Sequence, residues 1–361
     1  MGERSRMGRA ALIALAGLAL ALQAGEQLDK HPDGSLLARC PLDAKGQRHG
    51  IRLVYLLGGK TVAAEERWHH GALIFPNSQR LIDAAVPRIR AESVKAVSSL
   101  NGPNLAPKPV LAETLANLRY YRFLCGVPDD VSWKAEYCDL AYHAALVCSK
   151  LGRLDHHPTK PDGMDDALFA KGKQGCGSSN LCGGFCTLPE SIHGYMDDSD
   201  PSNIDRVGHR RWILNPAMTA SGIGSAGSGS SFPSSALYVF DRNRSQIPDW
   251  EVVSFPARGL HPIAWTRPDF AWSVQPNPTH WKVGDQATIA IHPVDQEFKR
   301  GPALAMNYQH IDRQGFGAGP AIIVRPTGLI CKPGALYAVV VSGLIPTKDK
   351  PSELLWYVGF Y

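Results

Sequence analysis

The spacing of hydrophobic positions divides the chain into three parts, and the first part has the spacing of a β-sheet. Between residues 40 and 76, apolar residues alternate with other residues at Ile51, Leu53 and Tyr55, and the turn GGK follows them. A period of two is typical of a strand, and such a turn returns the chain antiparallel to itself. We therefore predict a small N-terminal β-hairpin region, with the sequence HHG at 69–71 as a hairpin turn.

The middle part has the spacing of helices. Residues 78–100 predict a helix broken at Pro87, and a linker rich in proline and asparagine follows it. From residue 111 onward, apolar residues recur every three or four positions in two segments that end at Gly126 and Gly152. This period predicts two amphipathic helices, because a glycine after the last periodic residue is a common helix stop.

A third helix and a change of character complete the pattern. Thr187 and Glu190 have the spacing of a capping box, which predicts a helix that begins after Thr187. From about residue 246 the helical period is lost, and short apolar runs separated by proline and glycine predict an all-β sandwich. The expected fold class is therefore α+β. The predicted segments are a signal peptide at 1–24, the β-hairpin region and linker at 25–110, a middle domain at 111–245 and a β-sandwich domain at 246–361.

The first 24 residues have the composition of a targeting segment. Arg4, Arg6 and Arg9 precede an apolar run at 10–22, and small residues follow it. The run is shorter than the roughly 20 residues that a membrane-spanning helix needs, so a cleaved signal peptide is expected, with an uncleaved anchor as the alternative. No later segment reads as a transmembrane helix. We predict a protein that is secreted or held in the cell envelope.

Charge argues against one class of partner. The formal net charge is +5, and the lysines and arginines are scattered along the chain rather than gathered in runs. Proteins that follow a phosphate backbone carry a basic patch or stripe, so nucleic acid is not an expected partner.

The chain contains eight cysteines, an even number that favours disulfides in an exported protein. Eight cysteines allow 105 pairings, so the connectivity stays open. Cys138 and Cys148 lie ten residues apart in one helical pattern, about 15 Å along its axis, which is beyond the reach of a disulfide. A thiolate metal site within 176–186 is an alternative, although the spacing lacks the C-x2-C of zinc sites. The disulfide candidates are Cys125, Cys138, Cys148, Cys176, Cys182 and Cys186.

Three short motifs of the middle part carry the candidate chemistry. LDHHP at 154–158, SSNL at 178–181 and VGHRRWILNP at 207–216 follow the predicted helix NLRYYRFLCG in this order. The order resembles the CAP superfamily, which comprises cysteine-rich secretory, antigen 5 and pathogenesis-related 1 proteins and includes exported bacterial members. The resemblance covers roughly residues 112–241. It implies a CAP-type α-β-α sandwich, in which helices cover both faces of a central sheet and a cleft opens at the surface.

The resemblance also implies which residues form the cleft. Members of the family hold two histidines and two acids there, and these can bind a divalent metal. The motifs place His156 and His209 at the histidine positions and Ser179 where the first acid normally stands, so one carboxylate is missing. Asp198 is the favoured second acid, with Glu190 and Asp197 as alternatives. Two imidazoles and one carboxylate suit zinc or copper rather than calcium, with zinc as the candidate cofactor and an empty cleft as the alternative. The residues expected to line the cleft are Ser179, Asn180, Glu190 and His193.

His209 also has a structural interpretation. A buried imidazole bonded to backbone carbonyls would fit a strand built from the apolar residues that follow it. Alternation in that strand would turn one of Arg210 and Arg211 to solvent and pair the other with Asp205 or Asp198.

Three functions are consistent with these features. The resemblance favours a binding protein, rather than an enzyme, whose cleft recognises a small lipid, glycan or peptide outside the cytoplasm. The alternative is a zinc-dependent, peptidase-like hydrolase in which His156 and His209 hold the metal and a carboxylate activates its water. A structural envelope protein with an unused cleft is the third interpretation.

Overall fold

The computed structural model describes residues 25–55, 58–60, 62–184, 187–228, 231–347 and 349–361. The predicted signal peptide and Cys186 lie outside these described residues. The chain divides into two compact units with their boundary between Ser78 and Gln79, and each unit is described by itself.

The N-terminal unit is a five-stranded antiparallel sheet in which each strand pairs with the next one along the chain. Its strands are β1 (Gly25–Lys30), β2 (Leu36–Leu42), β3 (Gly50–Tyr55), β4 (Val62–His69) and β5 (Ala72–Phe75). The predicted hairpin is thus part of a larger meander, because residues 25–42 add two strands. Ala38 and Cys40 of β2 and Ile74 of β5 are buried, whereas Ile51 of β3 is 48% exposed.

The second unit begins with the helices. They are α1 (Gln79–Ser98), α2 (Lys108–Leu124), α3 (Ala135–Leu151), α4 (Asp166–Ser178), α5 (Leu188–Asp197) and α6 (Gly208–Ile213). The prediction that Pro87 breaks the first helix is wrong, since α1 runs through it. Proline in a helix interior costs about 3 kcal/mol. Ile82, Ala85, Ile89 and Val97 form one buried face of α1 that packs with α2 in the same core, and this burial outweighs the lost hydrogen bond.

A four-stranded sheet lies between the helices. Its strands are β6 (Ser132–Trp133), β7 (Ser179–Gly183), β8 (Ala220–Ala226) and β9 (Ser234–Tyr238), in the order β6-β8-β9-β7. Ile223 and Leu237 share a core with α2 and α5, whereas Leu181 and Ala236 share one with α3 and α4. Helices therefore cover both faces of the sheet, and the predicted α-β-α sandwich is confirmed.

Glycines allow α3 to approach the sheet closely. A Cβ atom on Gly222 of β8 would lie 2.2 Å from the Tyr137 carbonyl carbon, and one on Gly224 would lie 2.4 Å from the Tyr142 nitrogen. Neither position has room for a side chain, because real Cβ atoms do not come so near to backbone. The GIG sequence is thus a packing feature that holds α3 against β8.

The C-terminal part forms two four-stranded sheets, and the predicted all-β sandwich is confirmed. The strands are β10 (Val252–Phe255), β11 (Gly259–His261), β12 (Trp272–Pro276), β13 (Trp281–Pro293), β14 (Met306–Asp312), β15 (Ala321–Pro326), β16 (Leu336–Pro346) and β17 (Leu354–Phe360), with a 3₁₀ turn at Ile263–Trp265. One sheet has the order β10-β12-β15-β14 and the other the order β11-β17-β16-β13. Trp272 and Val324 of the first sheet share a core with Ile291 and Val339 of the second.

Candidate functional site

His209 and Asp198 form a hydrogen-bonded pair between α5 and α6. Asp198 follows α5 in the left-handed conformation, with φ 50°, and is 2% exposed. One of its carboxylate oxygens lies 2.9 Å from Nδ1 of His209, and the other accepts the backbone N–H of Arg210 at 3.2 Å. This geometry orients the imidazole through Nδ1, and the His209 side chain remains 20% exposed. The structure thus brings together two of the three predicted metal ligands.

Asn180 of β7 and Tyr195 of α5 contact the segment that carries His209. The amide of Asn180 donates to the carbonyl of His209 at 3.0 Å, and the hydroxyl of Tyr195 donates to the carbonyl of Asn180 at 3.2 Å. The ring of Tyr195 lies 5.4 Å from that of His209. Ser179, which stands where the family has an acid, is buried, and its hydroxyl has no hydrogen-bond partner among the described residues. Ser179 and Asn180 therefore lie beneath the surface.

His156 occupies a different environment from His209. It is exposed after the end of α3, and its Nδ1–H donates to the carbonyl of Cys176 at 2.8 Å. Among the described residues, a group with three ligand atoms within 4.8 Å of one another occurs at His49, His69 and His70. His156, Asp198 and His209 do not form such a group. The zinc site assigned to them from the sequence stays a prediction.

His193 and Glu190 line a separate cavity of about 320 Å³ between α2 and α5. Nδ1 of His193 lies 2.9 Å from the Tyr121 hydroxyl, and its ring lies 4.9 Å from that of Trp265. Burial lowers the pKa of His193, so the neutral imidazole is favoured. The remaining lining residues are Val110, Glu113, Asn117, Thr187 and Pro189.

The predicted capping box at the start of α5 is present. The Thr187 backbone N–H donates to the Glu190 carboxylate at 2.8 Å, and the Glu190 N–H donates to the Thr187 hydroxyl at 3.4 Å. The hydrogen bond from the Thr187 backbone is the main reason that the pKa of Glu190 is lowered. Glu190 is thereby an ionised wall of the cavity rather than a partner of His209.

The structure contradicts the strand predicted at His209. Residues Gly208–Ile213 form α6, so alternation does not apply, and both Arg210 and Arg211 are buried. Arg210 donates to the carbonyls of Met196 and Ala271, each at 2.7 Å. Neither arginine is turned to solvent, and Arg210 bonds backbone carbonyls of both the α-β-α sandwich and the β-sandwich.

Arg211 crosses to the β-sandwich as well. It forms an ion pair with Asp312 at the end of β14, rather than with Asp205 or Asp198. It also donates to the carbonyls of Gln314 and Gly319, each at 2.6 Å. The local sequence gave no signal for these partners, because they lie about a hundred residues further along the chain.

No disulfide joins any pair of the described cysteines. Cys138 and Cys148 both lie on α3, as predicted, and each is buried. The nearest pair is Cys148 with Cys176 of α4, whose sulfur atoms are 3.9 Å apart. The hydrogen bond between the two thiols is the main reason that the pKa of Cys148 is lowered and that of Cys176 is raised. Cys125 is buried, and Cys182 is half-buried at the end of β7.

A polar groove of about 540 Å³, which sequence reasoning did not identify, lies where α5 meets the β-sandwich. The charged residues that line it are Asp197, Asp200, Arg267, Asp269 and Arg325. The Arg267 guanidinium lies 3.5 Å from the Asp197 carboxylate. These charges come from three segments of the chain, at 197–200, 267–269 and 325, so only the packed structure brings them together.

The middle of the chain matches a known family. Residues 115–240 match the family model described as CAP, the cysteine-rich secretory protein family. The chain contains a CAP domain. The Asp198–His209 pair lies within this CAP domain, whereas β1–β5 and the β-sandwich lie outside the matched residues. A comparison with curated proteins gives no match, and none of the helices in the described residues is long and apolar enough to cross a membrane.

Proposed function

We propose that the chain is an exported binding protein whose CAP domain holds a small polar ligand, a glycan or a short peptide, in the cavity between α2 and α5. The CAP domain supports a binding role in general. The observation that carries the finer proposal is the lining of this cavity, where the carboxylates of Glu113 and Glu190 stand beside the amide of Asn117 and the imidazole of His193. Such a set of acceptors and donors suits hydroxyl, amide and ammonium groups.

The size of the cavity fits this proposal. About 320 Å³ lies at the lower end of the range for ligand pockets, roughly 300–1,000 Å³. Val110 and Pro189 add an apolar edge, against which a sugar ring or a small side chain would pack. A lipid tail fits less well, because burying two carboxylates against hydrocarbon is costly.

The test is a titration of the full chain with a panel of neutral saccharides and short peptides, followed by saturation-transfer NMR. Glu113→Gln removes an exposed carboxylate of the lining, and we expect it to weaken binding about tenfold, as for a lost hydrogen bond to a charged group. Glu136→Gln is the matched control, because this exposed glutamate lies on α3 outside the cavity. Equal affinities of the two variants, or no binding by any member of the panel, would refute the proposal.

The hydrolase is a second candidate, favoured by one observation. A carboxylate that fixes Nδ1 of an imidazole, as Asp198 does for His209, is the usual second shell of a metal-bound histidine. If His209 and His156 form a zinc site, a variant in which His49, His69 and His70 are replaced should still bind zinc. That zinc would be lost when His209→Ala is added, and a casein assay would detect proteolysis. Zinc uptake that His209→Ala leaves unchanged argues against this candidate.

Export would place the cysteines in an oxidising compartment. Cys148 and Cys176 are then the pair proposed to form a disulfide, because their sulfur atoms are 3.9 Å apart and need approach by only about 2 Å. Thiol titration of the exported chain without reduction should therefore find six of its eight thiols, one fewer than the seven of the Cys148→Ser variant treated in the same way. Finding all eight thiols in the exported chain would contradict the proposal.

A further inference from the structure

Three histidines converge at one end of the N-terminal sheet, outside the CAP domain. His49 directly precedes β3, His69 ends β4, and His70 lies in the turn to β5. Gly50 pairs with Trp68 across the two strands, which places the residues on either side of this pair next to each other. The ring centroids lie between 4.5 and 5.2 Å apart, and one nitrogen of each ring lies within 4.8 Å of one nitrogen of the other two.

The turn is what brings two consecutive histidines to the same side. Successive side chains in a strand point to opposite faces, so His69 and His70 would diverge in regular β-structure. His70 instead adopts φ 44° and Gly71 adopts φ 80°, both in the left-handed region. This conformation is uncommon for a residue other than glycine. It is held by a hydrogen bond from the Gly71 N–H to the Arg48 carbonyl at 2.8 Å.

A carboxylate orients one of the three rings. Asp43 lies 2.5 Å from Nδ1 of His70 through one oxygen. Its other oxygen accepts the backbone N–H groups of Lys45 and Gln47, each at 2.9 Å, which fixes the carboxylate in place. With Nδ1 donating to Asp43, the lone pair of His70 resides on Nε2. This is the arrangement by which proteins direct an imidazole toward a metal.

We propose that His49, His69 and His70 bind a divalent transition-metal ion of the Zn²⁺ class through one nitrogen each, with Asp43 as a positioning residue. Neutral imidazoles are preferred ligands of such ions, and Zn–N bonds measure about 2.0–2.1 Å. The rings must close in by a small movement, which the exposed side chain of His70 can make, since 55% of its surface is accessible. The backbone N–H of His70 also donates to Nδ1 of His49 at 3.4 Å. This hydrogen bond is long, so a metal–nitrogen bond can readily replace it.

The experiment uses the full chain carrying His156→Ala and His209→Ala, so that the CAP domain contributes no imidazole pair. After removal of metal with a chelator, zinc is added and its binding is followed by calorimetry. We expect one equivalent of zinc, and X-ray absorption should show three nitrogen ligands from imidazole at about 2.0–2.1 Å. This result would stand even if the cavity between α2 and α5 bound no ligand.

Variants separate the site from adventitious binding. His70→Asn removes a ligand but keeps a residue that tolerates the left-handed turn, and His49→Ala removes a second ligand. Both should abolish stoichiometric uptake, whereas Asp43→Asn should weaken it about 10–100-fold. His310→Ala is the control, because this exposed histidine lies on β14. Absence of zinc uptake, or uptake that His49→Ala and His70→Asn leave intact, would overturn the proposal.

Discussion

His261 is a fully buried histidine in β11, and its surroundings disfavour the charged imidazole. Its Nδ1 accepts the backbone N–H of Ala257 at 3.1 Å, and its ring lies 5.4 Å from that of Phe255 and 6.3 Å from that of Phe360. Burial lowers the pKa of His261 to about 4. The unfolded chain, in which the pKa is about 6.5, therefore binds a proton between pH 6.5 and pH 4 that the folded chain does not.

This residue makes the second unit sensitive to acid. The free energy of unfolding should fall as the pH drops from about 6.5, and the loss attributable to His261 should reach about 3 kcal/mol near pH 4. His261→Gln removes the titration, so we expect its stability to decline less steeply over this range, whatever the substitution costs at pH 7. Urea unfolding at pH 7 and pH 5 measures both slopes. Parallel declines for the two proteins would contradict the assignment.

Contacts between elements depend on glycines that the helical pattern alone does not explain. Gly175 lies inside α4, where a Cβ atom would stand 2.2 Å from the Leu140 carbonyl oxygen of α3. Gly194 lies inside α5, and a Cβ atom there would meet nothing within 4 Å. At both positions, replacing glycine with alanine raises the intrinsic helix stability by about 1 kcal/mol. They differ only in the approach of a neighbouring helix.

We therefore expect the two alanine substitutions to have opposite effects. Gly194→Ala should stabilise the fold by up to about 1 kcal/mol. Gly175→Ala should destabilise it by about 1–3 kcal/mol, because α4 must move away from α3 to admit the methyl group. Thermal unfolding of the two variants beside the unmodified chain gives both signs. A stabilised Gly175→Ala variant would show that the two helices are not in close contact.

The elements that the sequence predicts correctly are those whose cause is local. The capping box of Thr187 and Glu190 and the stop at Gly152 depend on residues within four positions of each other, and both are present. The strand predicted at His209 is wrong, because residues Gly208–Ile213 form the helix α6. This helix contains two buried arginines, and their partners Ala271 and Asp312 lie far along the chain.

The candidate sites divide in the same way. Asp198 and His209, which motif order assigns to one cleft, form a hydrogen-bonded pair. Motif order cannot show that Glu190 and His193 line a different cavity. The sequence HHG at 69–71 predicts only a hairpin turn. The meeting of these two histidines with His49 depends on strand register and on a left-handed φ, neither of which the local composition determines.

At the scale of the whole second unit, α6 joins the CAP domain to the β-sandwich. The Arg211 side chain is 1% exposed and that of its partner Asp312 is 6% exposed. Water therefore cannot solvate either charge if its partner is removed. Removing one member of a buried ion pair leaves the other uncompensated, at a cost of about 3–5 kcal/mol. The Gln314 carbonyl would lose its donor as well, whereas the Gly319 carbonyl would keep the Gln275 amide at 2.8 Å. The Arg211 guanidinium is therefore one of the buried connections between the two domains, beside the bond from Arg210 to the Ala271 carbonyl.

Arg211→Met should lower the free energy of unfolding by about 3–5 kcal/mol. Arg206→Met, which breaks a surface pair with Asp205, should cost no more than about 1 kcal/mol. The double variant Arg211→Met with Asp312→Leu should recover part of the loss, because it removes the unpaired carboxylate. It should not recover all of it, since the Gln314 carbonyl still lacks a donor. Urea unfolding of the unmodified chain and of the three variants measures these differences in the free energy of unfolding. If the double variant is no more stable than Arg211→Met, the buried carboxylate is not the source of the loss.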